Sequence, residues 1–269
     1  GRTPPLVDGS VNLMVIETGC RVPEAEVMRV LVPGGTARAR ISGGWKKTEK
    51  PRDGARDDWT HYLYDATGNA VSRDRLVESI GHYQWIGGPK WARHHDHVSS
   101  FNALVSSGGR IFYVLDHGSR ASILLPARWK LVAREAHNGV ILWTKGLPAW
   151  VDHLYRLKLG PFTLPRSLVA AGGRVYCPAG KGHAPVAFDA ATGDEVARWP
   201  AADNCEEIVM TGDTLLAVRN PKPDYRRGRN DRNLAPHKKS VAAIDPGGGK
   251  IRWEKTFAWI APVSLCSDR

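Results

Sequence analysis

The sequence lacks any uncharged apolar run approaching the ~20 residues that a bilayer-spanning helix requires, so none of its 269 residues reads as a helical membrane anchor. Cysteine is scarce. Cys20, Cys177, Cys205 and Cys266 lie far apart with no CxxC pair, which removes zinc ribbons, thioredoxin-type redox motifs and c-type haem attachment. Their spacing fixes no disulfide, and buried free thiols are the expected state. Acidic residues are in deficit, 27 against 38 Lys and Arg, for a net charge of +11. A polyanionic partner needs such charge gathered on one face. The densest basic stretch, residues 225–233 (YRRGRNDRN), interleaves Arg226, Arg227, Arg229 and Arg232 with Gly, Asn and Asp and offers Tyr225 alone for stacking. It therefore reads as a solvated loop, and nucleic acid is not the favoured partner.

Turn formers and tryptophan are plentiful: 28 Gly, 18 Pro and 10 Trp, beside an ordinary 24% of charged residues. That balance excludes collagen-like and wholly disordered chains. Aromatics recurring near turn glycines are a cue for propeller-type sheets.

A repeat organises the rest. Residues 131–143 (LVAREAHNGVILW), 185–199 (PVAFDAATGDEVARW) and 241–253 (VAAIDPGGGKIRW) align on a strand, an acid, a short turn ending in Gly, and a second strand. The acids are Glu135, Asp189 and Asp245, each four residues before Gly139, Gly193 and Gly249. The acid suits hydrogen bonding to the turn backbone, and glycine accepts the positive φ of a tight turn. A second hairpin pattern precedes each: residues 102–114, 167–179 and 207–218, turning at Gly108-Gly109, Gly172-Gly173 and Gly212-Asp213. Two hairpins per ~55 residues, repeated, predict a mainly β chain: a partial β-propeller of about three four-stranded blades.

The repeat AxDxxTGxxxW, best kept as AFDAATGDEVARW and AIDPGGGKIRW, resembles that of the pyrroloquinoline-quinone (PQQ) type, quinoprotein alcohol dehydrogenase-like propellers. That family includes PQQ-dependent dehydrogenases and non-catalytic BamB-like relatives. Residues 57–74 (DDWTHYLYDATGNAVSRD) resemble the Trp-led segment preceding the first blade of such proteins. The likeness covers about residues 57–269. It departs where Asn138-Gly139 replaces TG and where the second tryptophan is displaced to Trp199. Such rings close with up to eight blades. The resemblance therefore implies further blades of the same chain beyond Arg269, and three blades alone would leave a face and strand edges bare. The opening on Gly1 rather than Met fits a piece of a longer protein.

Residues 1–45 form a separate short α/β segment. Residues 10–17 (SVNLMVIE) predict a buried strand, 23–31 (PEAEVMRVL) a helix opened by Pro23 and stopped by 33–35 (PGG), and 36–41 (TARARI) a second strand. Strand, helix, Pro-Gly-Gly and strand, with Arg29-Val30-Leu31-Val32-Pro33-Gly34-Gly35 at the turn, resemble the C-terminal part of a class I S-adenosylmethionine (SAM)-dependent methyltransferase. The glycine-rich cofactor loop of such folds belongs upstream of Gly1, so SAM binding would need residues from there. Charged residues 46–58 read as a linker to propeller blades over 59–269.

Catalytic residues are not assigned. PQQ dehydrogenases of the resembled family use adjacent cysteines, a calcium ion and an aspartate base. This chain has no adjacent cysteines, and Asp116, Asp152 and Asp189 stand in no recognisable calcium pattern. The sharpest constellation is WARHHDH over 91–97. On an extended segment His95 and His97 share one face, and with Asp96 they form a candidate divalent-metal set, with Arg93 as an anion clamp. The competing reading is a polar loop whose side chains satisfy turn backbone. The tryptophans are expected to fill the wedges between blades rather than to stack ligands. The insertion at 117–130 and the arginine-rich insertion mark a binding face.

The reading is a non-catalytic binding or assembly scaffold with a protein or small-molecule ligand on its propeller face. The alternatives are a PQQ- or metal-dependent oxidoreductase and a SAM-dependent methyltransferase whose propeller recruits substrate. Cytoplasm and periplasm both stay open.

Overall fold

The computed structural model describes residues 3–76, 81, 83–93, 100–154, 163–221 and 238–268. It comprises two compact units, one of Gly1–Asp57, Arg73–Gly87 and Glu135–Val140, the other of Asp58–Ser72, Gly88–Arg134 and Ile141–Arg269.

In the first unit, β1 (Val11–Ile16), α1 (Glu24–Val30), β2 (Leu31–Ile41) and β3 (Gly44–Glu49) build a three-stranded sheet of order β1-β2-β3. β1 and β2 run parallel with α1 as their crossover, and β3 returns antiparallel. The strand over 10–17 forms, yet it is not buried. As an edge strand it leaves Leu13 and Val15 more than half exposed, while Met14 and Ile16 pack toward Val27, Leu31 and Ala37. Pro-Gly-Gly does not stop the helix either. Leu31 already has extended φ/ψ of −67° and 139°, and residues 33–35 are a bulge inside β2, where the register jumps between Val11/Leu31 and Leu13/Thr36. Gly34 has φ +81°, and a Cβ on Gly35 would lie 2.9 Å from the Val11 carbonyl. The glycines thus serve strand-to-strand approach. The bulge is closed from the other side by Gly34 N–H to Lys50 O, 2.8 Å, and Lys50 N–H to Gly35 O, 2.9 Å. Hence the first residues of the charged stretch expected as linker are strand.

The second unit holds three four-stranded antiparallel sheets: β4 (Phe101–Ser107), β5 (Arg110–Asp116), β6 (Trp129–Glu135) and β7 (Ile141–Gly146); β8 (Val169–Ala171), β9 (Arg174–Pro178), β10 (Pro185–Asp189) and β11 (Glu195–Arg198); β12 (Cys205–Thr211), β13 (Thr214–Arg219), β14 (Lys239–Ile244) and β15 (Ile251–Phe257). Each is the double hairpin of one repeat. The chain is mainly β, a partial propeller of three blades with a short α/β segment ahead of them.

Two apolar layers hold the blades together. Val105, Phe112, Leu131 and Trp143 of the first blade pack on Leu168, Val175, Cys177 and Val186 of the second. The second blade's opposite face, with Val169, Tyr176 and Trp199, packs on Ile208, Met210, Leu215 and Ile244 of the third. Inner strands therefore bury both faces and read as continuous apolar runs rather than alternating ones. The best buried of these side chains are fully covered, and each contributes roughly 1.5–3 kcal/mol of transfer free energy. All four cysteines are free, Cys177 and Cys205 buried and Cys20 and Cys266 exposed. Burial pushes the Cys177 thiol up to about 12, so it behaves as a small apolar filler.

Candidate functional site: turns, docked tryptophans and a hub

The repeat turns share one geometry. Asp189 Oδ1 accepts the N–H groups of Ala191 and Thr192 at 2.8 and 2.9 Å. The Gly193 N–H donates to Asp189 O at 2.8 Å with φ +75°. Asp245 repeats this with Gly247 N–H at 2.9 Å and Gly249 N–H at 2.9 Å. Backbone N–H donors hold both carboxyls below the usual range, as expected for a charge that accepts several hydrogen bonds. Glu135 differs, because its longer side chain reaches the next side chain as well as the turn. Its Oε1 meets His137 Nδ1 at 2.8 Å, and its Oε2 accepts from Asn12 at 3.2 Å. Burial works against the Glu135 charge, but the His137 and Asn12 hydrogen bonds outweigh it and hold the carboxyl low.

Each turn glycine lies under a tryptophan. A Cβ on Gly139 would fall 2.3 Å from the Trp85 ring, and one on Gly193 would fall 2.5 Å from Trp143. The indoles also donate, Trp85 Nε1 to Ala136 O at 2.8 Å and Trp143 Nε1 to Ala190 O at 3.1 Å. Those carbonyls belong to the residue after the turn acid in both cases. Trp199, two residues beyond the repeat position of Trp143 and just past the end of β11, extends the ladder through its N–H to Pro185 O at 3.2 Å and keeps the same face because strand side chains alternate with period two. Its ring is displaced, however. A Cβ on Gly249 would lie 3.7 Å from its Nε1, that Nε1 has no hydrogen-bond partner among the described residues, and the corresponding carbonyl of Pro246 accepts from Arg174 at 3.1 Å instead.

Trp143 and Trp199 are 8% and 1% exposed, but their counterpart Trp253 on β15 is 51% exposed. The row behind it is open too. In the first two blades Phe112 and Tyr176 back the docked indole at 6.0 and 6.1 Å between centroids. The third blade has Leu216 at this position, across Ala243 from Trp253. Trp91 and Trp259 are also more than half exposed, so the expectation that tryptophans fill wedges holds for Trp143 and Trp199 and fails for Trp91, Trp253 and Trp259.

A hub ties the blades together on their innermost strands. Three consecutive residues each take one backbone N–H from the same repeat position of successive blades: Ser106 N–H to Trp59 O at 2.7 Å, Ala170 N–H to Thr60 O at 3.0 Å, and Met210 N–H to His61 Nε2 at 3.0 Å. His61 is buried. Its Nδ1 lies 2.8 Å from Thr60 Oγ1, whose own proton goes to Tyr64 O at 3.2 Å. Nδ1 therefore carries the hydrogen and Nε2 is free to accept. Burial, helped by the Arg166 charge, lowers His61 to about 4 against the pull of Asp65. Beside it, Arg166 pairs with Glu207 at 2.5 Å, both almost fully buried. Lys239 and Asn220 similarly enclose Glu206.

His95, His97 and Asp96 lie outside the described residues, as does the arginine-rich insertion. Arg93 is not an anion clamp. Its guanidinium is buried on Asp116 at 2.9 Å and donates to the carbonyls of Ser119, Ser122 and Leu125. Asp116 in turn accepts the N–H groups of Gly118 and Arg128, each at 2.8 Å. Both side chains staple the 117–130 insertion, which leaves neither free for chemistry. Asp152 meets Lys181. Among the described residues no three His, Cys, Asp or Glu side chains gather as cation ligands. The hub was legible only as a Trp-led segment, since no local pattern says which strands Trp59, Thr60 and His61 will bridge.

The sequence profile of the family described as outer membrane protein assembly factor BamB matches residues 59–259, three quarters of the chain. The chain belongs to that family. No curated protein matches. Among solved structures, this BamB-family chain is similar to a europium-containing methanol dehydrogenase at 14% identity and TM-score 0.43, covering 74% of this chain and 32% of that one. It is similar to BamB from Moraxella catarrhalis at 15% identity and TM-score 0.33, covering 55% and 33%. A third is the β-propeller domain of the trilobed protease from Pyrococcus furiosus, at 12% identity and TM-score 0.33, covering 62% and 44%. The chain thus spans about a third of the length of the dehydrogenase.

Proposed function

We propose that this BamB-family chain is a non-catalytic assembly scaffold, and that its open docking face receives a further propeller repeat. Trp253 carries the reading. It stands where Trp143 and Trp199 are each covered by the glycine turn of the next repeat, and it is itself half exposed. An acid-and-glycine turn offers the indole a bare left-handed backbone, which both counterparts meet, and a carbonyl acceptor, which Trp143 uses and Trp199 does not. Further blades of the same chain are the natural occupant, with protein or small-molecule ligands held on the completed face. In this reading residues 1–45 with the rest of β3 are the α/β segment, the linker expected over 46–58 begins after Glu49, and 59–269 are the blades.

The oxidoreductase alternative needs PQQ and calcium. The described residues do not fit that pair, since they bring no cation-ligating cluster together and bury Cys177 and Cys205 as separate thiols. No step is derived through either group. The methyltransferase alternative rests on the strand, helix and Pro-Gly-Gly turn of residues 10–41, which precede the family match and whose residues 33–35 are a bulge inside β2.

The test is titration of the full chain with a cyclised hairpin peptide of residues 185–198, which carries the turn but no tryptophan. Binding is expected to shift tryptophan emission to the blue, and Trp253→Phe is expected to abolish the shift. An unchanged shift in that variant, or no binding, overturns the proposal.

A further inference from the structure

The first unit contains an open cleft of about 990 Å³, at the upper end of the range for small-molecule sites. Lys50, Arg52 and Arg56 line it beside His137, with Met28 and Pro33 as apolar wall. Two of the carboxylates around it are engaged by side chains and the third only by one backbone N–H. Asp8 pairs with Arg29 at 2.5 Å, Glu135 is taken by His137 and Asn12, and Asp53 accepts the Ala55 N–H at 2.9 Å. The cations are less engaged. Lys50 Nζ makes one bond, to Leu31 O at 2.7 Å, which leaves two of its three N–H groups. Arg52 and Arg56 have no ion pair with a described residue, so two forks of five donors each are unspent.

The bulge in β2 makes room for one of them. A Cβ on Gly34 would lie 2.9 Å from Arg52 Nη2, so the bare backbone lets the guanidinium lie against the strand. Three cations over one weakly engaged aspartate is a positive cleft that only an anion neutralises. We propose that this cleft binds a small organic phosphate. Its dianionic phosphoryl group sits on Arg52, Arg56 and Lys50, and its apolar body rests against Met28 and Pro33. Two guanidinium forks match phosphoryl oxygens bidentately. A planar carboxylate uses fewer of these donors.

The test is calorimetric titration of the full chain with phenyl phosphate, inorganic phosphate and benzoate. Phenyl phosphate is expected to bind about ten-fold tighter than inorganic phosphate, because its ring buries against the apolar wall. The combined Arg52→Ala and Arg56→Ala variant is expected to weaken binding at least about thirty-fold, with an unchanged melting midpoint since both residues are exposed. Arg52→Lys with Arg56→Lys, which keeps the charge without the fork, is expected to fall between. Arg198→Ala, on an exposed pair in the second blade, is expected to bind as wild type. Undetectable binding, unchanged binding in the double alanine variant, or benzoate binding as tightly as phenyl phosphate overturns the proposal. So does loss of binding on replacing Arg226, Arg227, Arg229 and Arg232 alone, which would put the anion on that insertion.

Discussion

Replacing Gly193 by alanine isolates the tryptophan-to-turn contact, because other glycines in the same unit supply its controls. Gly193 has φ +75°, and an added Cβ would meet the Trp143 ring at 2.5 Å. Gly172 has φ +59° with nothing within 4 Å of its Cβ position. Alanine at Gly172 therefore carries only the left-handed backbone cost, roughly 1–2 kcal/mol. Alanine at Gly193 carries that cost and also expels the indole. Expulsion forfeits the Nε1 bond to Ala190 O, worth about 1 kcal/mol, and part of the packing of a side chain only 8% exposed on Phe112 and its neighbours. Since Trp→Ala in a core costs about 3–5 kcal/mol, partial undocking brings the Gly193→Ala total to about 3–5 kcal/mol, some 2–3 kcal/mol beyond Gly172→Ala. Urea unfolding followed by far-UV circular dichroism measures the difference without relying on tryptophan emission. A cycle with Trp143→Ala should be strongly non-additive, because once the indole is gone the new methyl meets little. Equal destabilisation at Gly193 and Gly172, or an additive cycle, refutes the account of docking.

Further outcomes follow from the buried charges and the open face. His61 titrates near 4 folded against 6.5 unfolded, so the unfolded chain binds the extra proton: its contribution is complete above pH 6.5 and is lost as pH falls to 4, about 3 kcal/mol in all. Glu207, raised by burial, works in the opposite direction, so the test is the difference between the pH profiles of wild type and His61→Gln, with wild type gaining stability relative to the variant as pH rises from 4 to 6.5. Arg166→Met strands the Glu207 charge and should cost about 3–5 kcal/mol in urea unfolding, whereas the joint variant with Glu207→Leu recovers most of it. Trp253→Ser should cost under about 1 kcal/mol, since exposed positions away from special features change stability little, against several for Trp143→Ala. Arg93→Ala should loosen the 117–130 insertion, read as faster proteolysis between Ser119 and Leu125 with the blades intact.

The fold was legible because the repeat is a local pattern: an acid, a turn and a left-handed glycine between β runs are set by neighbours in sequence, and all three blades appear within two residues of their expected hairpins except that β7 and β15 run three and four residues further. The sequence by itself determined the hairpins, the acids that brace their turns, and the parity that keeps Trp199 on the docking face despite its displacement. Tertiary structure alone decided which tryptophans are covered, because coverage depends on the turn of a different repeat some fifty residues away. It also turned Pro33-Gly35 from an apparent helix stop into a bulge, since the close approach of the β1 backbone at Val11 has no trace in the local pattern. Arg93 reads as a free cation until folding brings Asp116 to it, and His61 as an ordinary histidine until the Met210 N–H closes the hub. Local propensity fixes where the chain turns; long-range burial fixes which polar groups are consumed in holding it together and which are left for a partner.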